Sequence, residues 1–269
     1  LKEGLLKNGM SAKKADELWK LIEPFAAYGF NKAHAASYGR VAYQTAYMKA
    51  NFPAIYMSAV LTADSGDIEK IAETITECKR MGIPVLPPSI NESFSQFTII
   101  KSGDGVPDRI RFGLVTIKNF GQGAATAIIY ERKRGGAFIS LISFLERVRD
   151  KNINKKSLEA LIKSGAMDEL GERGSMLGNI EALLAYNKER MKSGDSQDSL
   201  FGLMADTTTL PTLKLADVPV ATATERLAWE KELLGLYISG HPLDKFRAIL
   251  DKREVTVATI KDNPKEGQM

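Results

Sequence analysis

The sequence predicts a mainly α-helical fold with a few short β-strands, and three features support this. Apolar residues recur at helical spacing in the first 80 residues, as at Leu18, Ile22 and Phe25. A proline pair at 87–88 then interrupts the pattern, and the branched and aromatic runs FTII and RIRFGL that follow are typical of short strands. Helical spacing resumes from Val115 and continues towards the end of the chain.

The first helices have recognisable beginnings and ends. Ser11 is a good N-cap residue, and Pro53 stands where a helix begins, because the missing N–H has no partner there. Asp67 is placed to cap the next helix, and Gly82 is placed to end it. Residues 33–51 combine alanine and aromatic side chains with few charges, which indicates a helix buried on more than one face.

Four further helical stretches are predicted from Val115 onwards: VTIKNF, AATAIIYERKR, SLISFLERVRD and KKSLEALIKSGAMDEL. Residues 192–224 are poor in large apolar side chains and rich in Ser, Thr, Asp and Pro, so we predict a linker there. A short helix, ERLAWEKELLGLYI, follows the linker and precedes the breaker SGHPLD. Near the end, EVTVATI has the pattern of the first strand of a further domain.

Composition limits the class of protein. The 269 residues are enough for one large domain or two ordinary ones, and the net charge of +4 does not by itself indicate a nucleic-acid binder. The single cysteine, Cys78, excludes an internal disulfide and fits a reducing compartment, which predicts a cytoplasmic protein. With only two histidines beside it, a structural zinc site is not expected.

The chain is expected to be a segment of a longer polypeptide. Its first residues, LKEGLLKNG, lack an initial Met and the features of a signal peptide, and they are typical of the inside of a helix. No apolar run approaches the roughly 20 residues of a membrane span, so no membrane partner is predicted.

The stretch IKNFGQGAATAII has the pattern of a helix-hairpin-helix. Two glycines allow a tight turn and the close approach of a phosphate, and the N–H groups that open the second helix carry the positive end of its dipole. Such a hairpin grips DNA phosphates without reading bases. An ordinary Gly-rich turn between helices explains the motif equally well. The predicted DNA-binding residues are Lys118, Phe120, Gly121, Gln122 and Gly123, with a second, degraded hairpin at Lys163 and Gly165.

A second cluster stands at the start of the helix predicted at 33–51. Asn31, Lys32 and His34 come first, and Arg40 follows one and a half turns later, so the cluster is placed to face a phosphate or a nucleotide. Taken alone, a histidine at a helix start is more often a cap or a surface group, and that interpretation stays open.

The polar stretch SGDSQDSLFGLMADTT contains one apolar pair, Leu200 and Phe201. In an exposed segment such a pair is typical of a peptide that docks on a partner: the two side chains fill a pocket, and Gln197 makes hydrogen bonds. The alternative is that the pair folds back onto its own domain. No nucleophile–base pair and no paired carboxylates suited to two-metal phosphoryl transfer are recognisable, so neither catalytic nor metal-binding residues are predicted in this chain.

Five ordered blocks resemble the alpha subunits of bacterial DNA polymerase III, the replicative C-family polymerases: YGFNKAHAASYGRVAYQTAYMKANFPAIYM, ECKRMGIPVLPPSINES, IRFGLVTIKNFGQGAATAII, LEALIKSGAMDEL and EKELLGLYISGHPLD. The resemblance implies four regions. These are the C-terminal part of the fingers (1–80), a helix-hairpin-helix DNA-binding region with short strands (81–191), a linker with a clamp-binding peptide (192–224), and a helical connector leading into a truncated OB-fold (225–269).

The same resemblance implies partners and roles for the predicted sites. The partners are DNA, the sliding clamp (beta subunit) and other polymerase III holoenzyme subunits, with a dNTP for the complete enzyme. Residues near the nucleotide or template are Asn31, Lys32, His34 and Arg40; duplex DNA is held at Gly121 and Gly123; the clamp is bound by Gln197, Ser199, Leu200 and Phe201.

The catalytic aspartates of such polymerases match nothing in this sequence, so the resemblance implies that they lie upstream. The chain alone is expected to be inactive and to bind no cofactor. The complete polymerase is expected to need Mg²⁺ while a primer 3′-OH attacks the α-phosphate of a dNTP. Two alternatives are a non-catalytic DNA-binding and clamp adaptor protein, and a repair-type paralogue of the alpha subunit.

Overall fold

The structure, a computed structural model, describes residues 1–27, 32–103, 106–195, 213–250 and 252. This part of the chain is mainly helical with three short strands, which confirms the predicted fold class. It divides into two compact units, Leu1–Tyr56 and Met57–Met269. None of the described helices is both long enough and apolar enough to span a bilayer. The strand predicted at EVTVATI lies outside the described residues.

The first unit contains α1 (Lys2–Lys7), α2 (Ala12–Ala27) and α3 (Lys32–Asn51), and α4 (Pro53–Ala63) begins in it. Helices α1 and α2 lie against each other. The predicted beginnings of α2 and α4, and the helix over 33–51, are therefore confirmed.

The prediction that the third helix is buried is wrong for this chain. Every side chain of α3 is exposed except the half-buried Lys49, and Tyr38, Tyr43 and Tyr47 are 65%, 69% and 51% exposed. Composition shows that a helix suits burial, but the covering surface has to come from other residues. The described residues of the first unit supply none for α3.

The second unit begins within α4 and holds the remaining elements: α5 (Ile68–Arg80), β1 (Val85–Leu86), β2 (Thr98–Ile100), β3 (Arg109–Arg111), α6 (Gln122–Gly135), α7 (Leu141–Arg147), α8 (Lys155–Lys163), α9 (Arg173–Gly178), α10 (Ile180–Asp195), α11 (Ala223–Leu234), a 3₁₀ turn (Asp244–Phe246) and α12 (Arg247–Leu250). The strands form one sheet in the order β1-β3-β2, with β3 parallel to β1 and antiparallel to β2. Central Ile110 pairs with Val85 and Ile99 and is fully buried.

The core of this unit includes apolar side chains of α6, α7 and α8. Its fully buried side chains include Ile128, Phe144, Leu145, Leu158 and Leu161. Helix α10 packs on α7 and α8, and α11 packs on α8. The helices are therefore held together by burial of large apolar side chains, each worth roughly 1.5–3 kcal/mol.

The stretch 115–120 was predicted to be helical, and this prediction is wrong. The amides of Ile117 and Phe120 each donate to the carbonyl three residues back, at 3.2 and 3.1 Å, which makes two successive tight turns. The Thr116 hydroxyl donates to a backbone carbonyl at 2.7 Å. Asn119 has a φ of 68° and so occupies the left-handed region, which stops a right-handed helix from forming.

Residues 213–222, here called the strap, form no helix or strand and pack on α9, although they fall within the predicted linker. Asn179 exchanges two hydrogen bonds with the backbone of Ala216, at 3.0 and 2.7 Å. Nearer the end of the strap, the Ala221 amide donates to Glu172 at 2.9 Å. Hydrogen bonds from its backbone to the side chains of Asn179 and Glu172 therefore hold the strap at two points.

The strap approaches α9 closely because that helix has glycines on the facing side. A Cβ at Gly174 would lie 2.6 Å from the Pro219 carbonyl oxygen, and a Cβ at Gly178 would lie 2.6 Å from a methyl group of Val218. Real Cβ contacts are not this short, so larger residues at either position would push the strap away.

The contact at Glu172 predicts a pH-dependent stability. Although burial opposes it, the N–H groups of Ser175, Ala221 and Gly174 hold the pKa of Glu172 below its ordinary value of 4.5. The stabilisation is therefore complete above about pH 4.5 and is lost as the pH falls through the lowered pKa. We expect Glu172→Gln to lower the free energy of unfolding at pH 7, and the difference from the wild type to shrink in acid.

Urea unfolding at a series of pH values measures this difference. Glu232→Gln, which changes an exposed carboxylate on α11, is the matched control and should leave the stability close to that of the wild type. A difference for Glu172→Gln that stays constant from pH 7 to pH 3 contradicts the prediction.

Candidate nucleic-acid interface

The predicted hairpin has a buried side chain and an exposed backbone. Phe120 is 5% exposed, whereas Gly121, Gln122 and Gly123 are all exposed. Gly121 is the N-cap of α6, in an extended conformation with φ −95° and ψ 158°, and it supplies no side-chain cap. The first N–H groups of α6 therefore have no capping oxygen and are available to an anion.

The turn before the hairpin is held against the end of α11. The Lys118 amide donates to the Leu233 carbonyl at 3.0 Å, while the Lys118 side chain is exposed. Asn119 follows in its left-handed conformation and is also exposed. Asn119 was not predicted from the sequence, although Asn tolerates the left-handed region better than most residues.

The two glycines of the hairpin have different roles. A Cβ at Gly123 would lie 2.6 Å from Nδ2 of Asn152, so the chain before α8 closes on the start of α6. A Cβ at Gly121 would meet nothing within 4 Å. Gly123 is needed for packing, and Gly121 leaves the hairpin backbone open to a ligand.

The second predicted hairpin is a buried junction. Gly165 has a φ of 82° and is buried, and Lys163 is half-buried. The carbonyl of Lys163 accepts a hydrogen bond at 3.2 Å from Arg173, which is itself 5% exposed. DNA contact at Lys163 and Gly165 stays a prediction.

Arg173 also connects this junction to α11. It donates two hydrogen bonds to Asp168, at 2.8 and 2.7 Å, and one to Glu230 at 3.2 Å. Glu230 is 2% exposed and accepts further bonds from the amides of Ile238 and Ser239, at 3.1 and 3.0 Å. One buried ion pair therefore holds together α11, the segment after it and the junction after α8.

Three residues of the cluster predicted near the nucleotide lie on α3. Lys32, His34 and Arg40 are exposed, and the His34 ring lies 4.3 Å from that of Tyr38, measured between centroids. Helix α3 carries no carboxylate side chain, so its charge is wholly positive. Asn31 lies outside the described residues.

The predicted clamp-binding residues Gln197, Ser199, Leu200 and Phe201 all lie outside the described residues. Their segment joins α10 to the strap. Within the described ranges, no three His, Cys, Asp or Glu side chains are grouped so as to hold a metal ion.

Comparison with known proteins agrees with this geometry. Residues 82–176 match a family described as a helix-hairpin-helix motif. The chain is 40% identical to DNA polymerase III subunit alpha of Thermus aquaticus over 96% of its length, and 38% identical to that of Vibrio cholerae over 93%. It is 41% identical to that of Borreliella burgdorferi over 92%. The resemblance to DNA polymerase III alpha subunits is confirmed. The chain spans about one fifth of the length of these relatives: 20%, 21% and 21%.

Proposed function

We propose that the chain is part of a DNA-directed DNA polymerase of chromosomal replication, and that this part binds duplex DNA and the sliding clamp. The observation that supports the DNA-binding role best is the exposed, uncapped backbone at Gly121–Gly123, inside a region that matches a helix-hairpin-helix family. Its relatives are named as alpha subunits of DNA polymerase III. We place the protein in the cytoplasm, where its single cysteine, the buried Cys78, would stay reduced.

The complete protein would join a primer 3′-OH to the α-phosphate of a dNTP and release pyrophosphate. Mg²⁺ would supply charge neutralisation for that step. The described residues contain no carboxylate cluster suited to Mg²⁺, and we assign none of the chemical steps to them. Within the holoenzyme, this part would instead keep the polymerase on its DNA.

The hairpin would bind one strand of a duplex through its phosphates. Phosphate oxygens would accept hydrogen bonds from the N–H groups that open α6, and the helix dipole would favour their negative charge. The exposed Lys118 would add a cation beside them. Because none of these groups reads a base edge, binding should not depend on sequence, and it should weaken with salt by a slope of roughly −0.9 per phosphate neutralised.

The positively charged side chains of α3 also support a role in binding the phosphates of nucleic acid or nucleotide. Lys32 and Arg40 are exposed on a helix without carboxylates, and His34 lies in its first turn. In the complete polymerase we place them near the template or the incoming nucleotide, where phosphates are the nearest anions.

Gly121→Glu tests the hairpin directly. The position is open and extended, so the new side chain should fit without disturbing the fold, and it brings a carboxylate to where a phosphate should sit. We expect the affinity for duplex DNA to fall roughly tenfold or more, because hydrogen bonds to charged groups are worth about 1.5–3 kcal/mol. Fluorescence anisotropy with duplexes of unrelated sequence measures the affinity.

Gly121→Ala is the matched control, since it fills the same space without adding charge. It should bind within about twofold of the wild type, and both variants should have the helical circular dichroism spectrum of the wild type. If Gly121→Glu binds duplex DNA as tightly as Gly121→Ala does, the hairpin is not the DNA-binding element.

A further inference from the structure

The segment after α11, which contains the stretch SGHPLD, is held in place by a buried charge. Glu230 is 2% exposed, and its Oε2 atom accepts from the amides of Ile238 and Ser239 at 3.1 and 3.0 Å. Its other carboxylate oxygen lies 3.2 Å from the Arg173 guanidinium. The backbone at 238–239 is therefore fixed by a buried ion pair, which gives the exposed side chains around it a rigid support.

A polar cleft of about 520 Å³ lies between this segment and the end of α5. Lys79 lines the cleft from α5, and His241, Asp244 and Arg247 line it from the segment that follows α11. Lys79 and Arg247 are exposed, and within the described part of the chain neither has a carboxylate within 4.0 Å. Both cations can therefore bind an anion without first breaking an ion pair.

Among the described residues that line the polar cleft, Asp244 carries the only carboxylate, and it is engaged within its own turn. Its Oδ2 atom accepts from the His241 amide at 2.6 Å. The Nδ1 atom of His241 accepts from the Leu243 amide at 3.2 Å, so the ring proton is on Nε2, which can donate. The polar cleft thus offers two cations and one neutral N–H donor, a set that suits a phosphate group.

A mainly apolar cavity of about 300 Å³ adjoins the polar cleft, because Tyr237 and His241 line both. The two rings meet edge to face, with 5.3 Å between their centroids. Leu227, Ala228 and Pro242 supply most of the apolar lining. Cavities of a few hundred Å³, lined by apolar and aromatic side chains with a few polar groups, are typical of small-molecule sites.

We propose that the polar cleft and the apolar cavity together bind a free nucleoside monophosphate. The phosphate lies between Lys79 and Arg247 and accepts from Nε2 of His241, and the base fills the apolar cavity beside Tyr237. A phosphomonoester carries a charge of about −1.5 to −2 near pH 7, whereas a phosphodiester within a strand carries a single negative charge. Two cations match the monoester better. The site uses no residue of the hairpin, so it goes beyond the proposed function.

NMR titration of the chain with deoxyadenosine monophosphate tests this site. We expect saturable binding, at least roughly tenfold tighter than the binding of deoxyadenosine or of inorganic phosphate, because each of these occupies only one half of the site. Similar affinities for the nucleotide and for inorganic phosphate would show that the base has no place in the apolar cavity, and would overturn the proposal. Absence of nucleotide binding would overturn it as well.

The double variant Lys79→Gln/Arg247→Gln should weaken nucleotide binding roughly tenfold or more, because hydrogen bonds to charged groups are the strong ones. Both side chains are exposed, so the fold should be unchanged, which circular dichroism checks. The matched control Lys188→Gln/Lys214→Gln removes the same charge from exposed positions on α10 and the strap and should bind the nucleotide like the wild type. An equal loss in both double variants would show that only net charge matters and would contradict the site.

Ala228→Phe tests the apolar half separately. Position 228 is exposed on α11, and the larger side chain would occupy part of the apolar cavity. We expect weaker binding of the nucleotide and unchanged binding of inorganic phosphate. If the nucleotide binds this variant like the wild type, the base does not enter the apolar cavity.

Two further measurements identify the occupant and separate this proposal from the proposed function. A single-stranded oligonucleotide without a terminal phosphate should compete poorly with deoxyadenosine monophosphate. If it competes more strongly than the unlabelled nucleotide does, the occupant is a strand, and the proposal of a free nucleotide is wrong. Gly121→Glu should bind the nucleotide like the wild type, so a failure of the hairpin to bind duplex DNA and a failure of this site are observed independently.

Discussion

Replacing Leu200 and Phe201 with alanine is expected to abolish binding to the sliding clamp while leaving the affinity for duplex DNA unchanged. In short docking peptides a few buried anchors carry most of the binding energy, and each costs about 2 kcal/mol or more when truncated. Losing two, about 4 kcal/mol together, should weaken binding by about a thousandfold. DNA affinity should stay the same because neither residue belongs to the hairpin. Surface plasmon resonance with immobilised clamp measures the affinity for the clamp, and fluorescence anisotropy measures the affinity for duplex DNA.

The same segment supplies a matched control. Leu203 and Met204 are apolar neighbours that follow the Gln-Asp-Ser-Leu-Phe pattern, so Leu203→Ala/Met204→Ala should keep most of the clamp affinity. Clamp binding by Leu200→Ala/Phe201→Ala at wild-type strength would exclude the pair as the anchor. An equal loss in both double variants would indicate a general apolar attraction instead of a defined peptide.

Arg173→Met is expected to cost about 3–5 kcal/mol of the free energy of unfolding, because it leaves a buried carboxylate without its cation. Glu230 is 2% exposed, and Arg173 lies 3.2 Å from it. The two amide donors that remain on Glu230 do not replace a full positive charge. The second variant, Arg173→Met/Glu230→Gln, removes both charges but keeps an accepting oxygen for the two amides, and it should recover much of the loss. Urea unfolding of both variants gives the values.

An exposed ion pair of similar geometry serves as the comparison. Lys155 and Glu181 lie 2.6 Å apart with side chains 57% and 75% exposed, so Lys155→Met should cost about 1 kcal/mol or less. If Arg173→Met costs no more than Lys155→Met, the buried pair does not hold α11 to the junction after α8.

Local signals in the sequence predicted much of this fold. The Asp67 cap is confirmed, since Asp67 accepts from the Lys70 amide at 3.2 Å. FTII and RIRFGL contain the two antiparallel strands β2 and β3. These features depend on residues close to each other in the chain, where cap and strand preferences act.

The predictions that were wrong or incomplete depend on distant residues. The strap has the composition of a linker because its hydrogen bonds come from its backbone, and the partners that fix it, Asn179 and Glu172, lie 37 and 49 residues from the strap residues they bond. The aromatic composition of α3 likewise indicated burial, whereas the surface that would cover it is not among the described residues of its unit.

In the candidate site, too, the features that depend on neighbouring residues were predicted and the contact between distant residues was not. The glycines of the hairpin were recognisable from a short motif. The sequence did not show that Asn152, in the segment before α8, packs on Gly123, because 29 peptide bonds separate the two residues. The hairpin can be recognised from a short motif, whereas its contact with Asn152 is evident only in the folded structure.

The position of the end of α10 limits the distance between the two proposed partners, duplex DNA and the sliding clamp. The helix continues to Asp195 and packs on α7 and α8. Phe201 follows Asp195 by only six residues, which span at most roughly 20 Å when fully extended. A clamp that receives this side chain would therefore have to come within about that distance of the end of α10. This one helix and the short segment after it would therefore limit how far the clamp and the DNA duplex can move relative to each other.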